Sequence, residues 1–496
     1  MVGGCSGPGA ETTAAETSSC VDGEEGCACL DGGVCESGLL CASQMCVPAG
    51  DTTSGSTTGE STTTTTSGTT TTTSAGTTGG ECSPADGSVN PGCVAMNADA
   101  PYCSEAGECV DCSGLQACAS PSAPVCDPQS GLCVECTASD GSACVGTTPV
   151  CDAATNTCIP CTSHEGCPAS ACNMLTGECF AEDGVLWVDA GDPSCSPSGG
   201  TQEAPLCSLE DAMTHVVMSG GGGPSVVRIH KGIYDGPVIL PPGKLVAIVS
   251  ADPGDPVTIT GAADSLIEVP AGATLIADGL DIAGNGNGVG VAVTNGQLWL
   301  DRTTVHANKG LGLTTAMATN ARVRSTLITG NSGGGVKVGG GVLRIENSYI
   351  TKNGSAASFD GGITVTGGGE VEVLYSSVIG NLALLGDPSS LVCSDAGPVV
   401  VRNSVVVAED NESIACDASI DYSAIDVFPG MGSTNMMLMS DALGAYFIEL
   451  GGVYQAKPGT QLASVARWKS GDPIGDYDGD PRPEIEGPDY AGADVP

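Results

Sequence analysis

The chain has 496 residues, 27 cysteines, only 3% aromatic residues and a formal net charge of −43. It has only 15 lysines and arginines, without a dense cluster, which excludes a nucleic-acid-binding protein, because phosphate contacts need clustered basic side chains. No zinc-finger spacing of cysteine and histidine occurs, so the cysteines predict disulfides and an exported protein in an oxidising compartment.

Residues 1–19 predict a surface anchor followed by a polar tether. Residues 2–5 read Val-Gly-Gly-Cys, which is similar to the lipobox of bacterial lipoproteins, and this resemblance implies that Cys5 carries a lipid. With Cys5 set aside, the other 26 cysteines are an even number, as complete disulfide pairing requires. The alternative is a chance match and a secreted protein without an anchor. The sequence has no run of 18 apolar residues that would predict a transmembrane helix.

Two small segments follow the tether. Residues 20–48 are too few to bury a sizeable core, so we expect a module held by three disulfides, for which fifteen pairings are open. Its cysteines are Cys20, Cys27, Cys29, Cys35, Cys41 and Cys46. Residues 49–81 are mostly Thr, Gly and Ser without hydrophobic periodicity, which predicts a disordered linker.

Residues 82–180 predict four repeats with four cysteines each. The groups are Cys82/93/103/109, Cys112/118/126/133, Cys136/144/151/158 and Cys161/167/172/179. We expect each repeat to close two bridges within itself. The Cys-x₂-Cys pairs between the groups straddle repeat boundaries, which favours structural disulfides over redox or zinc motifs. The repeats resemble small cysteine-rich units found in tandem on bacterial surface proteins, which implies a stalk.

A periodic asparagine predicts the fold of the large domain. Apolar columns lie ten, eight and three residues before each asparagine, and a second strand follows it in each coil. A period of about 22 to 23 residues with strand-type alternation indicates a β-helix solenoid, in which stacked asparagines can hydrogen-bond from coil to coil. The asparagines, at intervals of 23, 23, 22 and 28 residues, are Asn285, Asn308, Asn331, Asn353 and Asn381.

Both flanks of this region resemble secreted proteins of the pectate-lyase-like superfamily. The resemblance rests on residues 187–192 (WVDAGD), 204–212 (APLCSLEDA) and 226–234 (VVRIHKGIY), and on a closing segment that runs from 471 to 494. It implies a parallel β-helix over 181–449, with a short helix over the open end, and a C-terminal closing segment over 450–496. The expected fold class is therefore all-β, a right-handed parallel β-helix solenoid preceded by small disulfide-rich modules and the Thr-rich linker.

Two neighbouring columns on the outer face of the stacked strand carry the candidate chemistry. Successive side chains of one column lie about 4.8 Å apart in a parallel sheet. We expect an exposed, partly ion-paired ladder, and its candidate ligand-binding residues are Trp299, Asp278, Asp301, Arg344 and Glu346. The full columns are Asp278, Asp301, Arg324, Glu346 and Leu374, and beside them Ile276, Trp299, Arg322, Arg344 and Glu372.

The alternative function is a calcium-dependent polysaccharide lyase acting on uronate glycans. Lyases of this fold hold Ca²⁺ against the substrate with carboxylates while an arginine abstracts a proton. This hypothesis assigns the ion to Asp278 and Asp301 and the catalytic base to Arg322 or Arg324. Pairing along the ladder would neutralise such an arginine, so we favour a protein that is not an enzyme.

The acidic segment near the C-terminus has the spacing of part of a calcium loop. The acidic residues Asp476, Asp478, Asp480 and Glu484 fall at positions 1, 3, 5 and 9 of an EF-hand pattern. Positions 6 and 12 depart from it, since they hold Pro481 and Gly487 instead of glycine and glutamate. A weak calcium site and a solvated turn are therefore both open.

Four late cysteines predict two disulfides that staple the ends of the solenoid. Cys393 and Cys416 are one coil period apart, so their Cα atoms should lie within the separation that a disulfide tolerates. Cys195 and Cys207 should then pair with each other at the N-terminal cap.

The sequence thus predicts a non-catalytic cell-surface lipoprotein with a β-helix head. Its role would be structural, or the binding of a polysaccharide or another cell-envelope surface. We expect it on the extracellular face of a bacterial envelope, or secreted, with no nucleic-acid partner and with calcium as the only cofactor considered.

Overall fold

The computed structural model describes residues 39–42, 45–48, 89–96, 100–104, 108–114, 118, 120–218, 225–252, 254–384, 387–408, 412–426 and 433–496. The chain divides into two compact units, Met1–Thr77 and Thr78–Pro496. In the first unit, the strands Leu39–Ala42 and Met45–Pro48 form an antiparallel pair within the predicted six-cysteine module. The predicted anchor at Cys5 and the Thr-rich stretch 51–80 lie outside the described residues.

Three parallel sheets wind through the second unit, which confirms the predicted β-helix. The first sheet contains Val185–Val188, Ser225–Ile229, Leu245–Ser250, Thr274–Asp278, Gln297–Asp301, Asn320–Arg324, Val342–Glu346, Glu370–Leu374, Val399–Arg402 and Ser419–Asp421. The second contains Gly232–Asp235, Val257–Thr260, Leu280–Ala283, Thr304–His306, Leu327–Thr329, Tyr349–Thr351, Ser377–Ile379, Val405–Val407, Ala424–Ile425 and Met436–Met437. The third contains Val238–Ile239, Ser265–Val269, Val289–Thr294, Leu311–Ala316, Gly334–Gly339, Ile363–Thr366, Leu391–Ser394 and Ile414–Ala415.

Each coil has three strands, where the sequence predicted two. The run before each asparagine is split into a first-sheet and a second-sheet strand by one residue in the left-handed region, with φ between 42° and 47° at Arg302, Ser325, Asn347 and Tyr375. The predicted apolar columns are buried and share one core cluster, so the register was predicted correctly across this bend.

Two polar ladders stabilise the bends of the coil. The predicted asparagine ladder is confirmed: Asn331 Oδ1 accepts hydrogen bonds from the backbone N–H (3.1 Å) and Nδ2 (2.9 Å) of Asn308, and Asn353 Oδ1 does the same for Asn331. The second ladder, which the sequence analysis missed, consists of buried hydroxyls that accept the backbone N–H of the preceding coil. Its members are Thr303, Thr326, Ser348, Ser376, Ser404 and Ser423.

The N-terminal end of the solenoid is closed by the α-helix Leu209–Met218. Leu209, Met213 and Val216 bury one face of this helix in the solenoid core. Ser208 caps the helix by accepting the backbone N–H of Asp211 at 3.1 Å. A disulfide joins Cys195 to Cys207 just before the helix, with Cα atoms 5.0 Å apart. The predicted bridge between Cys393 and Cys416 is also formed, with a Cα separation of 4.7 Å.

The C-terminal segment covers the outer face of the second sheet. Its residues Phe447, Leu462 and Trp468 pack against Tyr375 and Val405 in one buried cluster. Its elements are the 3₁₀-helices Ser440–Ala442 and Gln461–Ser464, the α-helix Leu443–Tyr446, and the antiparallel pairs Phe447–Leu450 with Val453–Ala456 and Ala466–Trp468 with Gly487–Asp489.

The cysteine-rich repeats are short hairpins held by disulfides that join the first to the third and the second to the fourth cysteine. This pattern holds in the second, third and fourth repeats, as Cys112–Cys126, Cys118–Cys133, Cys136–Cys151, Cys144–Cys158, Cys161–Cys172 and Cys167–Cys179. In the first repeat, Cys93 pairs with Cys109. The hairpin strands are Tyr102–Cys103, Cys109–Val110, Val125–Asp127, Leu132–Val134, Val150–Asp152, Thr157–Ile159, Cys172–Asn173 and Glu178–Cys179.

Short helices accompany these hairpins. They are the α-helix Pro91–Met96 and the 3₁₀-helices Cys112–Gly114, His164–Gly166 and Glu182–Gly184. Across the described part of the chain, no helix has the length and apolar character needed to cross a lipid bilayer.

Candidate functional site

The two candidate columns lie on the outer face of the first sheet in the predicted register. Asp278, Asp301, Arg324 and Glu346 are paired strand to strand. Trp299, Arg322 and Arg344 form the neighbouring column in the same register. The sequence therefore placed these side chains correctly relative to one another.

Both candidate catalytic arginines are ion-paired. Arg324 donates from Nε to Asp301 Oδ1 at 3.1 Å, and its Nη2 contacts the same carboxylate. Arg322 donates from Nε to Glu346 Oε2 at 2.7 Å. Arg344 donates to Glu346 at 2.5 Å and lies 3.3 Å from Glu372. Glu346 thus pairs with Arg322 and Arg344 from the other column, not with Arg324 in a single alternating column as expected.

The prediction of an exposed face is wrong for the carboxylates paired there and for Trp299, whereas the side chains of Arg322 and Arg344 are each 36% exposed. Asp278, Asp301 and Glu346 are 3%, 2% and 1% exposed, and Trp299 is 8% exposed. The guanidinium of Arg322 lies 4.4 Å from the centroid of the Trp299 ring. On the outer face, Phe180 and Ala171 of the fourth repeat belong to the same buried cluster as Trp299.

Polar contacts fix the fourth repeat on this face. Arg228 donates to the carbonyl of Ser170 from Nε (2.9 Å) and Nη2 (2.7 Å). Arg324 donates to the carbonyl of Thr162 at 3.2 Å, and Arg302 pairs with Glu165 at 2.6 Å. The repeat therefore lies on this part of the face because arginines of the sheet satisfy its backbone carbonyls and Arg302, at the bend, pairs with its acidic side chain.

His164 is the most buried titratable group of the fourth repeat. Its Nδ1 accepts the backbone N–H of Cys172 at 3.0 Å, so the proton of the neutral ring lies on Nε2. That Nε2 is buried, without a hydrogen-bond partner, 3.9 Å from Asp278 Oδ2. Burial lowers the pKa of His164, although the nearby Asp278 carboxylate opposes this shift. Asp278 is held mainly by Arg302, which donates to both of its oxygens.

A cavity of about 580 Å³ lies between the fourth repeat and the bend from the first to the second sheet. Charged residues dominate its lining, among them Asp278, Arg302, Glu165, Asp281 and Asp255. None of the described residues lining it is a Trp, Tyr or Phe, so it lacks the aromatic platform that suits a sugar ring. The sequence analysis found neither this cavity nor the roles of His164 and Arg302.

The acidic C-terminal segment forms a group different from the predicted loop. Asp476 and Asp478 lie with Asp494, and the carboxylate oxygens of these three residues are within 4.8 Å of one another. Asp480 and Glu484 are exposed and lie outside the group. The backbone N–H of Asp480, not its side chain, contacts the group, since it donates to Asp476 Oδ1 at 2.8 Å. Burial and the two neighbouring carboxylates raise the pKa of Asp494 to about 8.

Comparison with known proteins supports the fold. Residues 257–383 and 289–427 match the family model described as the right handed beta helix region. Residues 69–185, which include all four cysteine-rich repeats, match a family of unknown function, DUF8331. No curated protein matches the chain. The large domain is a right-handed parallel β-helix.

One solved structure similar to this chain is the crystal structure of pectate lyase Pel9A. The two share 13% sequence identity, with a TM-score of 0.36, over 62% of this chain and 96% of the other. A likeness at this level says nothing about activity.

Proposed function

We propose that this chain is a non-catalytic, exported surface protein in which the β-helix is a rigid scaffold and the first sheet is the docking face for the fourth cysteine-rich repeat. The observation that carries the proposal is the burial of Trp299 and Asp301 beside that repeat, whose Phe180 packs with Trp299 and whose Thr162 accepts a hydrogen bond from Arg324. Asp301 and Glu346 are almost fully buried, and the arginines that pair with them also contact or stack against neighbouring groups.

The chemistry of proton abstraction disfavours the lyase alternative. An arginine acting as a base must give up its proton, and a paired carboxylate holds that proton more tightly. Burial lowers the pKa of Arg324, but the hydrogen bond and charge of Asp301 outweigh it, so the pKa is raised overall. A uronate chain would also need open access to Arg324, whose Nη2 already donates to Thr162.

The burial of the predicted ligand-binding residues favours a structural role over carbohydrate binding. Four of its five residues, Asp278, Asp301, Glu346 and Trp299, are buried. Only the side chain of Arg344 is partly exposed, at 36%. The face therefore has the features of an internal interface, namely a covered aromatic side chain and fully paired charges.

The lyase alternative is tested by incubating the full chain with a panel of acidic glycans and Ca²⁺ and following the absorbance of unsaturated uronates. We expect no signal above that of heat-denatured protein. A signal abolished by Arg324→Ala and retained by Arg467→Ala, an exposed arginine of the C-terminal segment, would overturn the proposal.

The location is part of the same proposal: the outer face of a bacterial cell envelope, with a lipid on Cys5. Support comes from the disulfides of the repeats and of both solenoid ends, which need an oxidising compartment. A gene product expressed with its upstream codons should partition into detergent and lose this behaviour on Cys5→Ser. Unmodified protein with Cys5 in a disulfide would leave a secreted protein without an anchor.

A further inference from the structure

The buried acidic group at the C-terminus combines three carboxylates from two separate stretches of chain. Asp476 and Asp478 belong to a turn, and Asp494 lies almost at the chain end, where it is 4% exposed. Hydrogen bonds from backbone N–H groups hold the two stretches together: the N–H of Val495 donates to Asp476 Oδ2 at 2.8 Å, and that of Tyr477 donates to the carbonyl of Ala493 at 2.9 Å. The carboxylates are therefore held in place by the fold.

One oxygen in this group has no partner. Asp494 Oδ1 is buried and accepts no hydrogen bond, although its carboxylate is next to two others. Among the ion pairs of the described residues, none includes Asp476, Asp478 or Asp494. Burying a carboxylate beside two others with no counter-charge is costly, and a cation bound by its unpartnered oxygen removes this cost.

The three side chains have complementary features as metal ligands. Asp476 accepts the N–H groups of Gly479, Asp480 and Val495, which fixes its orientation and leaves about one of its four acceptor positions for an ion. Asp478 is exposed, so the group is open to water on that side. Carboxylate oxygens with room for water are the ligands that Ca²⁺ takes in proteins, whereas zinc prefers nitrogen and sulfur.

We propose that Asp476, Asp478 and Asp494 bind a calcium ion that clamps the segment around Asp494 onto the second sheet. Neighbouring contacts show what the clamp would secure: Ala493 donates its N–H to Ser377 Oγ at 3.1 Å, and the Tyr477 ring lies edge-on to Tyr349 with centroids 4.9 Å apart. The site differs from the loop predicted from the sequence, because Asp494 replaces Asp480 and Glu484. It does not depend on the proposed function.

The test uses the full chain, stripped with chelator, and Tb³⁺ as a luminescent substitute for Ca²⁺, excited through Tyr477 and Tyr349. We expect saturable emission that Ca²⁺ displaces. Asp494→Asn should weaken Ca²⁺ binding by at least about tenfold, since losing a ligand costs no less than losing an outer-shell partner. The matched control Glu484→Gln removes an exposed carboxylate of the predicted loop and should bind as the wild type does.

Thermal unfolding separates loss of the ion from loss of the fold. In chelator, Asp494→Asn should unfold at the same temperature as the wild type or higher, because it removes a buried carboxylate that lies next to two others. In Ca²⁺ the wild type should gain stability and the variant should not. If Asp494→Asn fails to fold, Ca²⁺ binding is measured instead on Asp478→Asn, which changes the exposed member of the group. We expect weakened binding in this variant too. No saturable binding by the wild type, or binding lost in Glu484→Gln and kept in both aspartate variants, would overturn the site.

Discussion

Replacing Asn331 with alanine should lower the free energy of unfolding of the β-helix by about 3 to 5 kcal/mol. Asn331 is fully buried, and its Oδ1 accepts two hydrogen bonds from Asn308. Its Nδ2 donates to the carbonyl of Val305 at 2.9 Å and to Asn353 Oδ1 at 2.9 Å. Alanine leaves the backbone N–H of Asn308 and one N–H of its Nδ2 buried without a partner, although Nδ2 keeps its bond to the carbonyl of Ile282 at 3.3 Å. Each unpaired group costs about 1 to 3 kcal/mol.

Urea denaturation measures this loss as a lower midpoint. The matched control is Asn287→Ala, at an exposed asparagine two residues after the ladder residue Asn285, which should change stability by less than about 0.5 kcal/mol. Equal midpoints for Asn331→Ala and Asn287→Ala would show that the ladder does not hold the coils together.

Replacing Arg324 with alanine should cost about 3 kcal/mol, because it leaves the buried carboxylate of Asp301 without its ion-pair partner. It also removes the hydrogen bond to Thr162, so hydrogen exchange should speed up in the fourth repeat. The matched control is Arg467→Ala, whose pair with Glu486 is exposed on both sides and should contribute less than about 1 kcal/mol.

Urea midpoints and hydrogen exchange of the two variants give the comparison. An Arg324→Ala variant no less stable than Arg467→Ala, with unchanged exchange between Cys161 and Cys179, would mean that the repeat is not fixed by the charges of the sheet.

The solenoid could be predicted because its signals are repeated. The intervals between asparagines set the register of the columns, and the strand pairing follows that register from Asp278 to Glu346. The third strand of each coil was missed because the residue that breaks the run varies: Arg302, Ser325, Asn347 and Tyr375 share a positive φ but no chemistry. The serine and threonine residues of the hydroxyl ladder come directly after that variable residue and recur at the same intervals as the asparagines. They could therefore have been found in the sequence.

The solvent exposure of the candidate site could not be predicted from the columns alone. Whether Trp299 is exposed depends on Phe180, which follows the last cysteine of an irregular repeat and has no periodic relation to the sheet. In the same way, Asp494 is separated from Asp476 and Asp478 by a hairpin strand, and a local spacing pattern cannot include it. Contacts between a periodic and an irregular part of the chain leave no signal in the spacing of either part.

The measurement that most directly tests the central claim, that the fourth repeat covers the first sheet, is the solvent access of Trp299. With Trp187 and Trp468 replaced by phenylalanine, Trp299 is the one tryptophan left in the chain. We predict blue-shifted emission that acrylamide quenches weakly, and stronger quenching after Phe180→Ala. Red-shifted emission that acrylamide quenches freely, with no response to Phe180→Ala, would show an open sheet face and contradict the account.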